Sequence, residues 1–444
     1  MIRKLITALS VVAAFATTAS AQELLAIKGA KIIPIAGEPI ENGLILIKDG
    51  RIDKVGSGFA IPVEAKVIDA TGKVVMPGIV EVHSSSAMSQ SNESNPNVPF
   101  LSVVDSIDPS REFFEESRRN GVTTAAVVPG NSTMIGGQAA VIKTAGSYVN
   151  DMVLKRNGGL KMSVAPTGTT SRMSHYARLR KELEKVRDAQ KEKAEAAEKK
   201  KAEEKKKDDK KKDGDKNLQS GGTDKAKTST TTTAQKPTDD AQNEALTSLL
   251  NGEMPAYIYC SAAMDVAQAL RLVDEFKLKS ILVLGRDTYK AAGAVAKAKV
   301  PAILDSRLVY WRTDPRTREN EKIVLPKIFS EKGVDYSFQV DDSTARLAMG
   351  SHYHWYQAAT AVKYGMSTED ALKKLTLDAA KLLGVDEFVG SIEKDKDADL
   401  VILSGDPLKV STWVETTIVN GKVVYERDKD VKLQKLLNPA EDEK

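Results

Sequence analysis

The sequence contains one cysteine, Cys260, in 444 residues. A single thiol closes no internal disulfide, so the fold has to be held by its core rather than by covalent staples. An excess of one charge is missing too. Lys and Arg number 65 against 61 Asp and Glu, a net +4, and the lysines concentrate in one segment. Such a balance gives no reason to expect nucleic acid as a partner. Histidine is sparse, with only His83, His175, His352 and His354. The apolar run at residues 5–16 is too short for a membrane span and has no charged stop-transfer flank. Apolar residues, by contrast, are plentiful at 41%. That is enough for a sizeable core, in two or three domains or in one large barrel with a satellite.

The first residues read as an export signal. Arg3 and Lys4 precede the apolar run, and Ala19-Ser20-Ala21 fits the small-x-small cleavage rule. Residues 1–21 are therefore expected to be a signal peptide, leaving a periplasmic or secreted chain that starts at Gln22 and has no stable membrane span. No Cys stands at the cleavage point, which argues against a lipoprotein.

Residues 22–77 carry short β-rich runs at 26–33, 43–47, 51–55 and 66–68. Asp49-Gly50 supplies a type I′ hairpin turn between two of them. After Pro77-Gly78 the text alternates strand and helix. Residues 122–128 form a largely apolar run, suited to a strand buried on both faces. Further on, strands at 256–259, 280–284 and 300–304 enclose helices at 264–276 and 287–297. This spacing predicts parallel strands with right-handed crossovers, and over residues 78–389 a (β/α)8 TIM barrel. Residues 178–241 are expected to interrupt that barrel as a charged insertion. Its first part, to about Glu204, suits a solvated helix, and the remainder is too polar to offset ordering entropy. Ser367 is placed to cap a helix and Gly384 to end the next. Residues 390–436 return to strands, with Asn420-Gly421 as a second hairpin turn, and 437–444 form a tail. The small β unit is thus built from both chain ends.

Two long segments resemble a known family. Residues 67–83, VIDATGKVVMPGIVEVH, resemble the start of the first barrel strand in the amidohydrolase superfamily, and residues 390–402, GSIEKDKDADLVI, resemble its return to the β unit. Gly121-Val122-Thr123-Thr124 and Gly136-Gly137-Gln138 resemble the imidazolonepropionase-like branch. The matches frame nearly the whole mature chain apart from the charged segment. The resemblance implies a TIM barrel inserted in a composite β-sandwich. It also implies hydrolysis of C–N bonds in amides or cyclic amides by water activated on a divalent metal, with zinc the first choice.

The metal ligands that the resemblance implies are only partly present. Its His-x-His triplet is His83-Ser84-Ser85 here, and two later histidine positions fall at Tyr259-Cys260-Ser261 and at Leu284. Lys161, with Lys143 second, matches the lysine in the middle of the barrel. Asp341, with Asp342 beside it, matches the final barrel aspartate, a proton shuttle in the family. His83 and Lys161 are thus the candidate metal residues and Asp341 the candidate catalytic one. His352 and His354 are read as opening a helix that runs to Tyr364, where residues i and i+2 point apart; an extended 351–353 would instead let them pair on an ion. His175 is expected to be an exposed helix residue.

Three functions remain open at this point. One is a C–N hydrolase with a reduced site. The second is a non-catalytic subunit that pairs with an intact paralogous amidohydrolase. The third is a periplasmic binder of a small amide or peptide, with Tyr259, Tyr310 and Trp311 at the barrel mouth.

Overall fold

The computed structural model describes residues 23–212, 237–340 and 353–437. The expected signal peptide, Asp341, Asp342, His352 and the middle of the charged segment lie outside the described residues.

The strands before the barrel are β1 (Leu24–Ile32), β2 (Ile40–Lys48), β3 (Arg51–Gly56), β4 (Lys66–Asp69) and β5 (Val74–Pro77). The strands after it are β16 (Leu400–Leu403), β17 (Val414–Val419) and β18 (Lys422–Glu426). Both sets join one eight-stranded sheet, in the order β18-β17-β16-β5-β1-β2-β3. β4 branches from the first half of β1 and β5 pairs with its second half. Ile27, Ile32, Ile45, Ile47, Leu400 and Ile418 fill its core. Both expected hairpin turns form. Asp49 and Gly50 have φ of 49° and 81°, and Asn420 and Gly421 of 48° and 72°. The two turns also touch: a Cβ on Gly421 would lie 2.8 Å from the Gly50 Cα. Glycine is therefore required there for close approach as well as for the left-handed backbone.

The barrel strands are β6 (Ile79–Ser84), β7 (Val122–Val127), β8 (Ile135–Lys143), β9 (Val153–Ser163), β10 (Ala256–Ala262), β11 (Ser280–Asp287), β12 (Ala302–Leu304) and β15 (Tyr336–Phe338). They form a nearly closed sheet in the order β15-β12-β11-β10-β9-β8-β7-β6. A hairpin of β13 (Val309–Thr313) and β14 (Asn320–Val324) follows β12. The expectation of a wholly parallel barrel is corrected at β8, which runs antiparallel to both β7 and β9. The links on either side of it, 128–134 and 144–152, are too short for the crossover that a parallel pair needs. Val82, Val128, Val141, Tyr257, Val283 and Ile303 pack together inside the barrel. The outward residues of β9 to β15 pack against helices.

The start expected for the charged insertion, residue 178, falls within a packed helix, Arg172–Lys212. Leu179, Leu183 and Val186 are buried against Leu246 and Leu249 of the helix Pro237–Leu250. Their spacing of four and three is an apolar stripe at helical period, set among charged neighbours that hid it. Residues 191–201 of the same helix are exposed throughout. His175 lies on the packed part. It is buried, not exposed as expected, and its Nε2 lies 2.8 Å from the Ser163 carbonyl oxygen.

Lys143, the second choice for the barrel lysine, has a different place. Its Nζ is buried and lies 2.8 Å from Asp397 and 2.7 Å from Asp399. Asp399 also accepts the Asn420 N–H at 2.9 Å. This cluster fixes the far end of β8 to the segment that returns to the β unit.

Candidate active site at the barrel mouth

Lys161 sits on β9 between Leu160 and Met162, both of which pack in the layer between barrel and helices. Strand alternation therefore turns Lys161 to the barrel interior. Its side chain is fully buried. The Nζ donates to Asn131 Oδ1 at 2.5 Å and lies 3.5 Å from His83 Nε2 on β6. The Tyr259 ring of β10 covers it, with its centroid 5.5 Å from Nζ. Burial lowers the Lys161 pKa from 10.5 to about 7. Burial, and secondarily the Lys161 charge, keeps His83 well below the usual histidine range. Both effects disfavour the charged form of each group.

Glu81 stands two residues before His83 and accepts the His83 backbone N–H at 3.2 Å. Its other oxygen, Oε2, lies 2.5 Å from Nε2 of His354, the first residue of the helix His354–Lys363. His354 thus opens a helix, as expected, with its ring buried on Glu81. The two atoms are close but not aligned as a hydrogen bond, so neither has an aligned partner among the described residues.

A cleft of about 470 Å³ opens at the C-terminal ends of β10, β11 and β12. Tyr259, Ser261, Arg286, Asp287, Asp305 and Arg307 line it. Ser261 is held in place by Asp265, which accepts its hydroxyl at 2.7 Å and also binds Arg172 at 2.8 Å. Tyr259 belongs to the cleft wall and to the cover over Lys161, and so joins the two.

The strand-end location is where barrel enzymes place their chemistry, and the similarity to known proteins points the same way. Residues 279–424 match the Amidohydrolase family. The crystal structure of an amidohydrolase from Thermotoga maritima MSB8 superposes with a TM-score of 0.73 at 26% identity, over 91% of this chain and 100% of that one. This chain belongs to the amidohydrolase superfamily. Amidohydrolase tasK of Hapsidospora irregularis is 22% identical over 406 residues, which cover 84% of this chain and 39% of tasK. Imidazolonepropionase of Thermoplasma volcanium is 33% identical over 118 residues, 24% of this chain and 28% of that protein. The chain therefore spans about two fifths of the length of tasK and under a third of the imidazolonepropionase.

Within this amidohydrolase barrel, the expected site residues His83 and Lys161 come together; Asp341 lies outside the described residues. Among the described residues no group of three His, Cys, Asp or Glu is placed to hold a metal ion. The imidazole nitrogen of His83 faces an amine instead of further ligands. The described donor set does not fit the divalent centre that the resemblance implies. Sequence reasoning missed Asn131, the Glu81–His354 contact, and Arg286 and Arg307. The two arginines had a usable signal, since Arg286 is the penultimate residue of β11 and Arg307 comes three residues after β12, both at strand ends of the barrel.

Proposed function

We propose that this amidohydrolase-superfamily protein hydrolyses a non-peptide C–N bond, in an amide or cyclic amide, with Lys161 as its proton-transfer group. The reading is carried by one arrangement: a buried lysine amine between His83 and Asn131, under the tyrosine that walls the cleft. In its neutral form Lys161 takes a proton from water as the water oxygen bonds to the carbonyl carbon. The tetrahedral intermediate then breaks its C–N bond, and the Lys161 ammonium returns the proton to the leaving nitrogen. An amine with a pKa near 7 is suited to both transfers at neutral pH. The composition of residues 1–21 supports a reading of export, and on that reading the substrate is a small amide or peptide-like compound of the periplasm or the cell exterior. The branched sheet from both chain ends is read as the composite β-sandwich of such proteins.

The alternative is a non-catalytic subunit paired with an intact paralogous amidohydrolase. Ser85, Tyr259, Ser261 and Leu284, at positions where the resemblance puts ligands, favour it. The deciding experiment measures amine or ammonia release from N-acyl amino acids, N-carbamoyl amino acids and cyclic ureides, alongside co-elution with such a paralogue. Turnover by the isolated chain supports the hydrolase. No turnover, with stable co-elution, transfers the function to the pair.

A further inference from the structure

We propose that Arg286 and Arg307 anchor a carboxylate of the substrate, so that the compound taken at this mouth is an N-acyl or N-carbamoyl amino acid. The proposal rests on the amide reading above and adds the class of compound. Arg286 lies near the end of β11, and Arg307 just after β12. These strands pair in parallel, with Leu282 opposite Ala302 and Val283 opposite Ile303. Arg286 and Arg307 both line the one cleft.

Neither guanidinium has a carboxylate within ion-pair distance among the described residues. The backbone groups are engaged: the Arg286 carbonyl accepts the Tyr310 hydroxyl at 2.7 Å, and the Arg307 N–H donates to Asp305 Oδ1 at 2.9 Å. The Arg286 guanidinium rests over the Tyr310 ring, 5.3 Å from its centroid. Stacking on a ring restricts the fork while leaving its N–H edge available, and that edge matches a carboxylate in a bidentate pair.

Asp287 and Asp305 line the same cleft and narrow the choice of ligand. Their carboxylates disfavour a bare anion, which brings negative charge and no donor. A ligand with an N–H next to its carboxylate satisfies both signs, the N–H toward Asp287 and the carboxylate toward the arginines. An acylated amino acid has that pattern, with its amide carbonyl one bond from the N–H. A cleft of about 470 Å³ suits a compound of this size.

The test is calorimetric titration of the full chain with N-acetyl-L-alanine and N-carbamoyl-L-alanine, and with the primary amides of both. The carboxylates should bind at least about tenfold tighter than the amides, because charge-assisted hydrogen bonds are lost in the amides. Arg286→Gln with Arg307→Gln should abolish that preference, and Arg307→Gln alone should reduce it. Equal binding of acid and amide to the natural chain overturns the anchor, as does binding of neither carboxylate, or a preference that survives the double substitution. Carboxylate-selective binding without turnover keeps the anchor and removes the hydrolase reading. Turnover of amides without carboxylate preference does the reverse.

Discussion

The Lys161 amine lies 3.5 Å from Nε2 of His83, and both side chains are buried inside the barrel. Two positive charges so close in a low-dielectric interior are strongly disfavoured, so the pair spends its time with at least one partner neutral. That constraint, more than any ligand geometry, defines what the site can do. It supplies a neutral amine at a pH where an exposed lysine is charged.

The same constraint has a stability signature. The folded pKa of Lys161 is about 7, against an ordinary value of 10.5. Between these values the unfolded chain binds the proton and the folded chain does not, so this residue's contribution to stability rises with pH over that window and is lowest below pH 7. Lys161→Met, which removes the titration and keeps the volume, should raise the melting temperature at pH 6–7. The gain should shrink toward pH 10. On the order of 1–3 kcal/mol is expected at the low end, read from denaturant curves at several pH values. A gain that does not change with pH would show that burial does not depress this amine.

Lys143 shows the opposite use of a buried lysine. Its charge is matched by Asp397 and Asp399 at hydrogen-bond distance. Lys143→Met leaves two carboxylates close together in the interior and should cost roughly 3–5 kcal/mol. Adding Asp399→Asn should recover part of the loss, since one unpaired charge is removed. Chemical denaturation of the two variants measures the difference, and equal losses would refute the account.

Within the helix Arg172–Lys212 two regimes should separate cleanly. Leu183→Ala removes a fully buried side chain and should cost roughly 2–5 kcal/mol. Ala194→Ser, on the exposed part, should stay within about 0.5 kcal/mol of the natural chain. A small effect at Leu183 would mean that the helix does not belong to the barrel core.

His175→Phe keeps a ring but loses the hydrogen bond to the Ser163 carbonyl, at the end of the strand that carries Lys161. The buried carbonyl is left without that partner, which should cost about 1–3 kcal/mol. Thermal unfolding checks it, and an unchanged midpoint would argue that the histidine is tolerated rather than needed.

Much of the fold was legible because its signals are local. Asp49-Gly50 and Asn420-Gly421 adopt the left-handed angles their residue types favour, the Ser367 hydroxyl accepts the Asp370 N–H at 3.0 Å, and Gly384 ends its helix at φ 64°. The strand and helix rhythm at 256–304 was equally plain. The direction of β8 was not legible, because an apolar run reads alike in parallel and antiparallel pairs. The stripe of Leu179, Leu183 and Val186 was masked by charge, and the burial of His175 followed from it. At the site, His83 and Lys161 were reached through family resemblance. Their neighbours Asn131, Glu81 and His354 come from distant parts of the chain, and no spacing rule joins them. The arginines of the cleft required knowing which strand ends face one another.

The most direct test of the central claim is the pH–rate profile of C–N hydrolysis by the natural chain and by Lys161→Met, over N-acyl and N-carbamoyl amino acids and cyclic ureides. If Lys161 is the base, kcat/KM rises with pH through about 7, as the amine loses its proton, and Lys161→Met abolishes turnover while remaining folded. Turnover that is flat through that pH range and survives in Lys161→Met would contradict the account, as would no turnover of any compound by the natural chain.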